Sequence, residues 1–430
     1  MNAPLHIGIA GLGTVGAGTV RILQERAEAL ALNAGRPLRI TAVSARRKKA
    51  KRPLDVDKYR WAADPLDLAR DHKIQVVVEL IGGAEGVARK LCETAIKAGK
   101  HVVTANKALI AHHGTALARA AEKAGVQFRY EAAVAGGIPV IKSLREGLAS
   151  NRITRVYGIL NGTCNYILTA MTDQGREFKD VLRECQKLGY AEADPSLDVD
   201  GIDTAHKLAI LSSVAFGCEI NFGAVYVEGI RHVSLMDMTF ARELGYRIKL
   251  LGIASVSKAG LEQRVHPCMV PEDSAIAHVG GSFNAVVADG NYVDTIVQEG
   301  RGSGAGPTAS AVVADLLDIA RGASVPTFTV PATKLKKIKP VPMARHRGAY
   351  YIRLMVVDKP GVLADVAAAL RDHAVSMESV LQRIRDPGEP VPVVMTMHET
   401  EEASVVKALK KIASARAVVE PPRMIRIESL

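Results

Sequence analysis

The sequence predicts an α/β protein: first a doubly wound parallel sheet, then an α+β region with an open sheet, then a small ferredoxin-like βαββαβ unit. Three observations predict it. β-rich runs alternate with helical periodicity over about the first 140 residues, the order that builds parallel sheets. Longer β-rich runs then occur between helices. The last 80 or so residues read strand, helix, strand, strand, helix, strand.

In order along the chain, "LHIGIA" at 5–10 reads as a short buried strand, and "GLGTVGAGTVRILQERAEAL" places glycines first and helical periodicity after. "LRITAVSA" at 38–45 is a second strand. "IQVVVELIGG" and "KHVVTANKALI" are β-rich, with the helix-like "GVARKLCETAIKAGK" between them, and "VQFRYEAAVAGGIPV" is a further strand and loop. This first unit spans 1–140. From 141 to 321, "ITRVYGILNGTCNYILTAM" reads as strand, glycine turn and helix, while "DVLRECQKLGY" and "GIDTAHKLAILSSVAFG" read as helices. "KLLGIASVSKAGLEQRVHPCMV" and "GSFNAVVADGNYVDTIVQEGRG" supply strands, and "TASAVVADLLDIARG" is the closing helix. Four prolines and a basic cluster mark 322–347 as a linker. The compact unit of 348–430 follows.

The bulk numbers exclude several classes. With 430 residues, 48% of them hydrophobic, the chain buries at least two cores and is not disordered. No window approaches the roughly 20 apolar residues of a membrane helix. The first strand begins too early for a signal peptide to precede it. Five scattered cysteines without a CxxC pair suit a reducing cytoplasm and predict neither disulfides nor a zinc site. A net charge of +11 invites nucleic acid, but only 4% of residues are aromatic and no nucleic-acid motif accompanies the basic runs.

Gly11, Gly13 and Gly16 form G-x-G-x-x-G directly after a strand and at the start of a helix, enclosing Thr14 and Val15. Glycine there permits a tight turn and lets the backbone approach a pyrophosphate seated on the helix N-terminus, the Rossmann arrangement. The second strand ends in "SARRKK", with no acid before Asp55. Arg46 and Arg47 therefore favour the 2′-phosphate of NADP, with NAD use left open; a solvated basic loop is the alternative. Ile81 and Gly82, Thr104 and Lys107 close the ends of later strands, where the ligand crevice of a doubly wound sheet lies. Lys107 thus faces the nicotinamide end of the crevice, unless it is merely a surface lysine opening a helix.

The stretch "YAEADPSLDVDGIDTAHKLAIL" places Glu192, Asp194, Asp198, Asp200 and Asp203 ahead of Lys207. Asp203 and Lys207 stand i to i+4 on one helix face, with the acid first. An exposed pair of this kind is worth a few tenths of a kcal/mol. The apolar run that follows points instead to burial, and a buried lysine needs a carboxylate partner. Such a lysine acquires a tuned pKa and can move a proton. Asp200 reads as the helix cap.

At these residues the sequence resembles the homoserine dehydrogenase family. The matches are "GLGTVG", the "TANK" of Thr104 to Lys107, "EAAVAGGIPVI" from Glu131, "NGTCNYIL" from Asn161, "GYAEADPSLDVDGIDTAHKLAIL" from Gly189 and "GRGSGAGPTASAVVADL" from Gly300. They run in family order from residue 1 to about 320, and the tail "VVDKPGVLADVAAAL" resembles an ACT domain, a small amino-acid-sensing module. The resemblance implies reversible NAD(P)-dependent interconversion of L-homoserine and L-aspartate 4-semialdehyde, on the route to threonine and methionine. It implies Lys207 as general acid/base and Lys107 as its aid in proton transfer and substrate placement. Glu192, Asp198 and Asp203 then hold substrate, and Gly162 and Thr163 form a loop over it. Glu131, Val134, Gly136 and Ile138 match a loop that binds a monovalent cation such as Na⁺ or K⁺, mainly through carbonyls. The segment of Gly304, Ala305 and Gly306 returns to the cofactor. In the tail, Asp358, Gly361, Val362 and Leu363 match an effector loop, with threonine the expected ligand, and a homodimer or homotetramer is expected.

Two other readings stay open on the residues alone. Cys164, in a glycine loop, would be the nucleophile of a different NADP-dependent semialdehyde dehydrogenase. A cofactor-sensing regulator without turnover is the second.

Overall fold

A computed structural model of the protein describes residues 3–48, 50, 55–383, 386 and 388–429. Part of the basic run after the second strand (Lys49, Lys51 and Arg52) lies outside the described residues.

The first sheet is built from β1 (Leu5–Ala10), β2 (Leu38–Ser44), β3 (Arg60–Trp61), β4 (Val76–Glu79), β5 (His101–Thr104) and β6 (Phe128–Arg129). All six are parallel, in the order β3-β2-β1-β4-β5-β6. Val76, Val77 and Val78 are fully buried, because a parallel strand is covered on both faces. The covering helices are α1 (Thr14–Glu25), α2 (Ala27–Ala34), α3 (Leu66–Arg70), α4 (Val87–Lys97) and α5 (Lys107–Lys123). The β-rich run around "VVTANKALI" divides: the strand stops at Thr104, Asn106 caps the new helix by accepting the Leu109 N–H at 3.0 Å, and Lys107 is its first residue. The strand order reverses between β1 and β4, and ligands of open α/β sheets bind outside such a switch point.

After α6 (Val140–Lys142), β7 (Ile153–Ile159) leads into α7 (Gly162–Gln174), α8 (Phe178–Lys187), α9 (Ser196–Val199) and α10 (Ile202–Phe216). Then come β8 (Tyr226–Val227), α11 (Leu235–Glu243), β9 (Tyr246–Ser257), β10 (Gly260–Pro271), β11 (Phe283–Gly290), β12 (Asp294–Arg301) and α12 (Ala305–Ala320). α12 returns to the first unit, where Val312, Leu316 and Ile319 share a core with Ile7, Ile9 and Val20. The approach is close: a Cβ on Gly18 would lie 2.5 Å from the Ala305 carbonyl.

The tail folds as β13 (Arg347–Val357), α13 (Val362–Asp372), β14 (Met377–Leu381), β15 (Pro390–Glu401), α14 (Glu402–Ala413) and β16 (Arg423–Ile427). Its strands do not form a separate sheet. β16 runs beside β10, pairing Cys268 with Arg426 and Met269 with Ile427, so the second sheet runs β12-β11-β7-β9-β10-β16-β13-β15-β14. Ion pairs bind the seam: Arg264 grips both oxygens of Glu428 at 2.9 and 2.7 Å, and Arg426, held by Glu402 within the tail, reaches across to Glu228. Arg353 and Tyr351 of β13 both bond Asp237, which also completes a capping box with Ser234 on α11. The proline-rich stretch before β13 packs along the second unit, with Phe328 fully buried and the Lys336 N–H donating to the Gly217 carbonyl. Among the described residues no helix is long and apolar enough to cross a membrane.

Candidate active site

α10 begins after Gly201, whose backbone is left-handed (φ +86°) and which packs against Val227 and Val265. No side chain caps this helix. Asp200, the expected cap, pairs instead with Arg231, because Gly201 occupies the capping position and leaves the acid outside the turn. Asp194 has a role of its own, accepting the Ser196 N–H and hydroxyl at 3.1 and 2.6 Å ahead of α9.

From Asp203 to Val214 every residue of α10 is buried, so Asp203 and Lys207 are not a surface pair. The Lys207 ammonium donates to Asp203 Oδ2 at 2.7 Å and to the Leu160 carbonyl at 2.6 Å. Lys107, arriving from the end of β5, meets Asp203 Oδ1 at 2.7 Å. One carboxylate thus bridges two lysines from different units. Asn161, the cap of α7, donates to Asp203 Oδ2 at 2.8 Å and to Asp198 Oδ1 at 2.7 Å. Nothing in its local sequence beyond a capping position distinguishes Asn161; only tertiary contact reveals this second task.

The electrostatics follow from burial. Burial alone would raise the Asp203 pKa, but Lys207 and Lys107 outweigh it and hold the carboxyl well below its usual range. Burial lowers the Lys207 pKa, with Asp203 opposing and Lys107 reinforcing the shift. Lys107 keeps 43% of its side chain exposed, and Asp203 raises its pKa. The arrangement therefore holds one lysine below the usual lysine pKa and the other above it. Burial and the charge of Asp203 raise Asp198. Glu192 is exposed and acts on Lys107 through its charge alone. Gly162 opens α7 where a Cβ would lie 2.6 Å from the Ser282 carbonyl, and the Thr163 hydroxyl donates to the Tyr190 carbonyl. Behind the lysines, burial lowers His206 to about 4, and its neutral ring stacks on Phe222.

The crevice beyond β1 has the shape a dinucleotide needs. Gly11 turns with φ +97°, where a Cβ would strike the Leu80 carbonyl at 2.3 Å, and one on Gly16 would lie 2.0 Å from the Gly11 carbonyl. A Cβ on Gly13 would meet nothing within 4 Å, so this glycine leaves room for a ligand. Gly82 and Gly306 are open in the same way. Thr14 is exposed, whereas Val15 packs into the core and offers only its backbone. Arg46 and Arg47 are exposed at the end of β2. The Thr104 hydroxyl is buried and donates to Glu79 at 2.6 Å, and the N–H groups of Ile81 and Gly82 point to the same carboxylate. Cys164 is fully buried, its thiol donates to the Asp198 carbonyl, and burial pushes its pKa well above normal. It is inaccessible, and Asp198 and Asp203 outweigh Lys207 around it, unlike the electropositive, accessible surroundings of a cysteine nucleophile.

Family models describe three segments of the chain: "Homoserine dehydrogenase, NAD binding domain" over 11–131, "Homoserine dehydrogenase" over 139–317 and "ACT domain" over 350–416. The homoserine dehydrogenase of Pseudomonas aeruginosa is 45% identical over 434 residues, covering 99% of both chains, and that of Neisseria gonorrhoeae is 43% identical over 433, again with 99% of both. The chain belongs to the homoserine dehydrogenase family. It is a nicotinamide-dependent oxidoreductase acting on a CH–OH group. The crystal structure of a homoserine dehydrogenase from Thiobacillus denitrificans matches with a TM-score of 0.92 at 45% identity, covering 99% of this chain and 98% of that one. A hyperthermophilic archaeal homoserine dehydrogenase in complex with NADPH matches with a TM-score of 0.65 at 27% identity, over 75% of this chain and 99% of that one.

Two further groups of expected site residues lie apart from the lysines. In the loop from Glu131, both carboxylate oxygens of Glu131 accept backbone N–H groups, of Ile141 and Lys142, each at 2.9 Å. Its side chain thereby anchors the start of α6. Ala135 and Gly136 turn with positive φ, and Val134 and Ile138 are buried. Far away, Asp358, Gly361, Val362 and Leu363 line a cavity of about 410 Å³ with Gln382 and Val393. Among the described residues His266, Cys268 and Glu428 cluster with metal-ligand chemistry, but Arg264 already occupies both oxygens of Glu428.

Proposed function

We propose that the chain interconverts L-homoserine and L-aspartate 4-semialdehyde, with Lys207 as the general acid/base. The observation that carries this is Asp203 bridging Lys107 and Lys207 beside the dinucleotide crevice. The nicotinamide supplies the hydride acceptor and donor. In alcohol oxidation Lys207, biased toward its neutral form, takes the hydroxyl proton; in reduction it returns that proton to the aldehyde oxygen. Lys107 stays charged and stabilises negative charge on that oxygen. Asp203 aims both amines, and Asn161 locks Asp203 and Asp198 together. Glu192 and Asp198 face the substrate ammonium, while Gly162 and Thr163, at the N-terminus of α7, lie over the substrate.

The cofactor reading favours NADP, supported by Arg46 and Arg47 at the end of β2 with no acid before Asp55 in the sequence; NAD is the weaker ligand. Carbonyls of Val134, Gly136 and Ile138, with that of Glu131, suit a Na⁺ or K⁺ ion, and a cation there would favour the charged form of Glu131, which burial and the neighbouring Asp315 disfavour. The cavity at Asp358 to Leu363 is read as a threonine site. Exposed Phe283 and Val297 on the edge hairpin β11–β12 support a homodimer or homotetramer. Five free, buried cysteines support a cytoplasmic setting.

The test is an assay of homoserine at alkaline pH with NADP⁺ and NAD⁺ in parallel. Absence of reduced cofactor in both sinks the proposal. Loss of NADP⁺ preference in Arg46→Ala/Arg47→Ala is the expected signature of the 2′-phosphate contact.

A further inference from the structure

Glu79 is the last residue of β4, in register with Ala10 of β1 on one side and Thr104 of β5 on the other. It stands at the point where the strand order reverses, and it is fully buried. Oε1 accepts the N–H groups of Ile81 and Gly82 at 2.7 and 3.0 Å, and Oε2 accepts the Thr104 hydroxyl at 2.6 Å. Thr104 in turn accepts the Asn106 N–H, and the Asn106 amide donates to the Gly83 carbonyl at 2.7 Å while its oxygen caps α5. One carboxylate thereby ties together the two chain segments that wall the crevice, immediately before Lys107.

An isolated buried carboxylate is costly, and the usual remedy is a cation. Among the described residues no lysine, arginine or histidine pairs with Glu79; it is met by three hydrogen-bond donors only. Hydrogen bonds stabilise the charge in place without cancelling it. The oxidised nicotinamide ring carries a positive charge and the reduced ring is neutral, so a fixed negative charge at the switch point acts on the two forms unequally.

We propose that Glu79 is a positioning residue whose uncancelled charge at the switch point favours the oxidised nicotinamide over the reduced one. This rests on the reading of the β1–β4 crevice as the cofactor site. Its consequence is a bias of the bound pair toward aldehyde reduction, the direction that leaves the cofactor oxidised.

The experiment is calorimetric titration of the full-length protein with NADP⁺ and with NADPH, for the wild type, Glu79→Gln and Thr104→Val. Glu79→Gln removes the charge at nearly constant shape, and the ratio Kd(NADP⁺)/Kd(NADPH) is expected to rise about tenfold (about 1.4 kcal/mol). Thr104→Val keeps the charge but removes a donor that offsets it, so the ratio is expected to fall, by about twofold. A merely structural tie would weaken both forms alike in both variants. Equal weakening in Glu79→Gln, or ratios moving the same way in both variants, overturns the proposal. If circular dichroism shows Glu79→Gln unfolded, Thr104→Val decides alone: a falling ratio supports the proposal and an unchanged or rising one overturns it. Wild-type protein that binds neither form would refute the crevice reading instead.

Discussion

Replacing Asp203 with asparagine isolates what the shared carboxylate does. It keeps the shape but removes the one charge that two lysines share at 2.7 Å each. At an effective dielectric of about 20, a charge pair about 4 Å apart is worth about 4 kcal/mol before desolvation is subtracted. Without the carboxylate, Lys207 retains its burial and the repulsion of Lys107, both of which favour its neutral form. The rising limb of the pH profile for homoserine oxidation should therefore move to lower pH, by more than about one unit, since about 1.4 kcal/mol corresponds to one unit. The maximal rate should nevertheless fall, by about 10²- to 10⁴-fold, because neither amine is aimed any longer. Folding stability should drop by about 3 kcal/mol, the lower end of the range for a broken buried pair, because Lys107 keeps 43% of its side chain in water. Initial rates from pH 6 to 10, with urea unfolding of the same preparation, read all three quantities. A pH limb that stays in place or moves to higher pH, with the rate preserved, would refute the reasoning.

The glycine turn predicts a contrast between two alanine variants. Gly13→Ala should fold with near-normal stability yet bind the cofactor at least tenfold more weakly, whereas Gly16→Ala, whose Cβ would lie 2.0 Å from the Gly11 carbonyl, should unfold well below the wild-type temperature. Thermal melts with and without NADP⁺ separate them. Burial and Asp315 push Glu131 up to about 7, so the folded state binds the extra proton between the ordinary carboxyl range and pH 7. Stability should fall as pH rises through that window, and KCl should restore more of it than choline chloride at pH 8 but not at pH 5.5. Equal effects of the two salts would count against the cation. At the distal cavity, Leu363→Glu should raise the threonine concentration for half-inhibition at least tenfold in a steady-state assay; unchanged inhibition would place the effector elsewhere.

Local sequence carried the dinucleotide crevice, because the glycine spacing, the preceding strand and the following helix are neighbours in the chain. It also carried the Asp203–Lys207 pair, since i to i+4 spacing places both on one helix face. It misjudged Asp200, because a capping acid and an acid bound to a distant arginine look alike until Gly201 and Arg231 are placed. Thr104, Ile81 and Gly82 are expected along the cofactor crevice, and the structure adds that the Thr104 hydroxyl and the two N–H groups converge on Glu79. No local pattern marks that buried acid, since its partners come from two different strand ends.

By itself, then, the sequence determined the order of the elements, the family and the chemical types present at the site, because these depend on contacts within a few residues of one another. Only the tertiary structure decided that one carboxylate serves Lys107 and Lys207, residues a hundred positions apart and contributed by different units. Only the tertiary structure joined the tail to the second unit, through β16 beside β10 and through Arg264, Arg353 and Arg426, making one continuous sheet. The physical reason is the same in both cases. A buried charge must find its partner in space, and the chain does not record the separation at which it will do so.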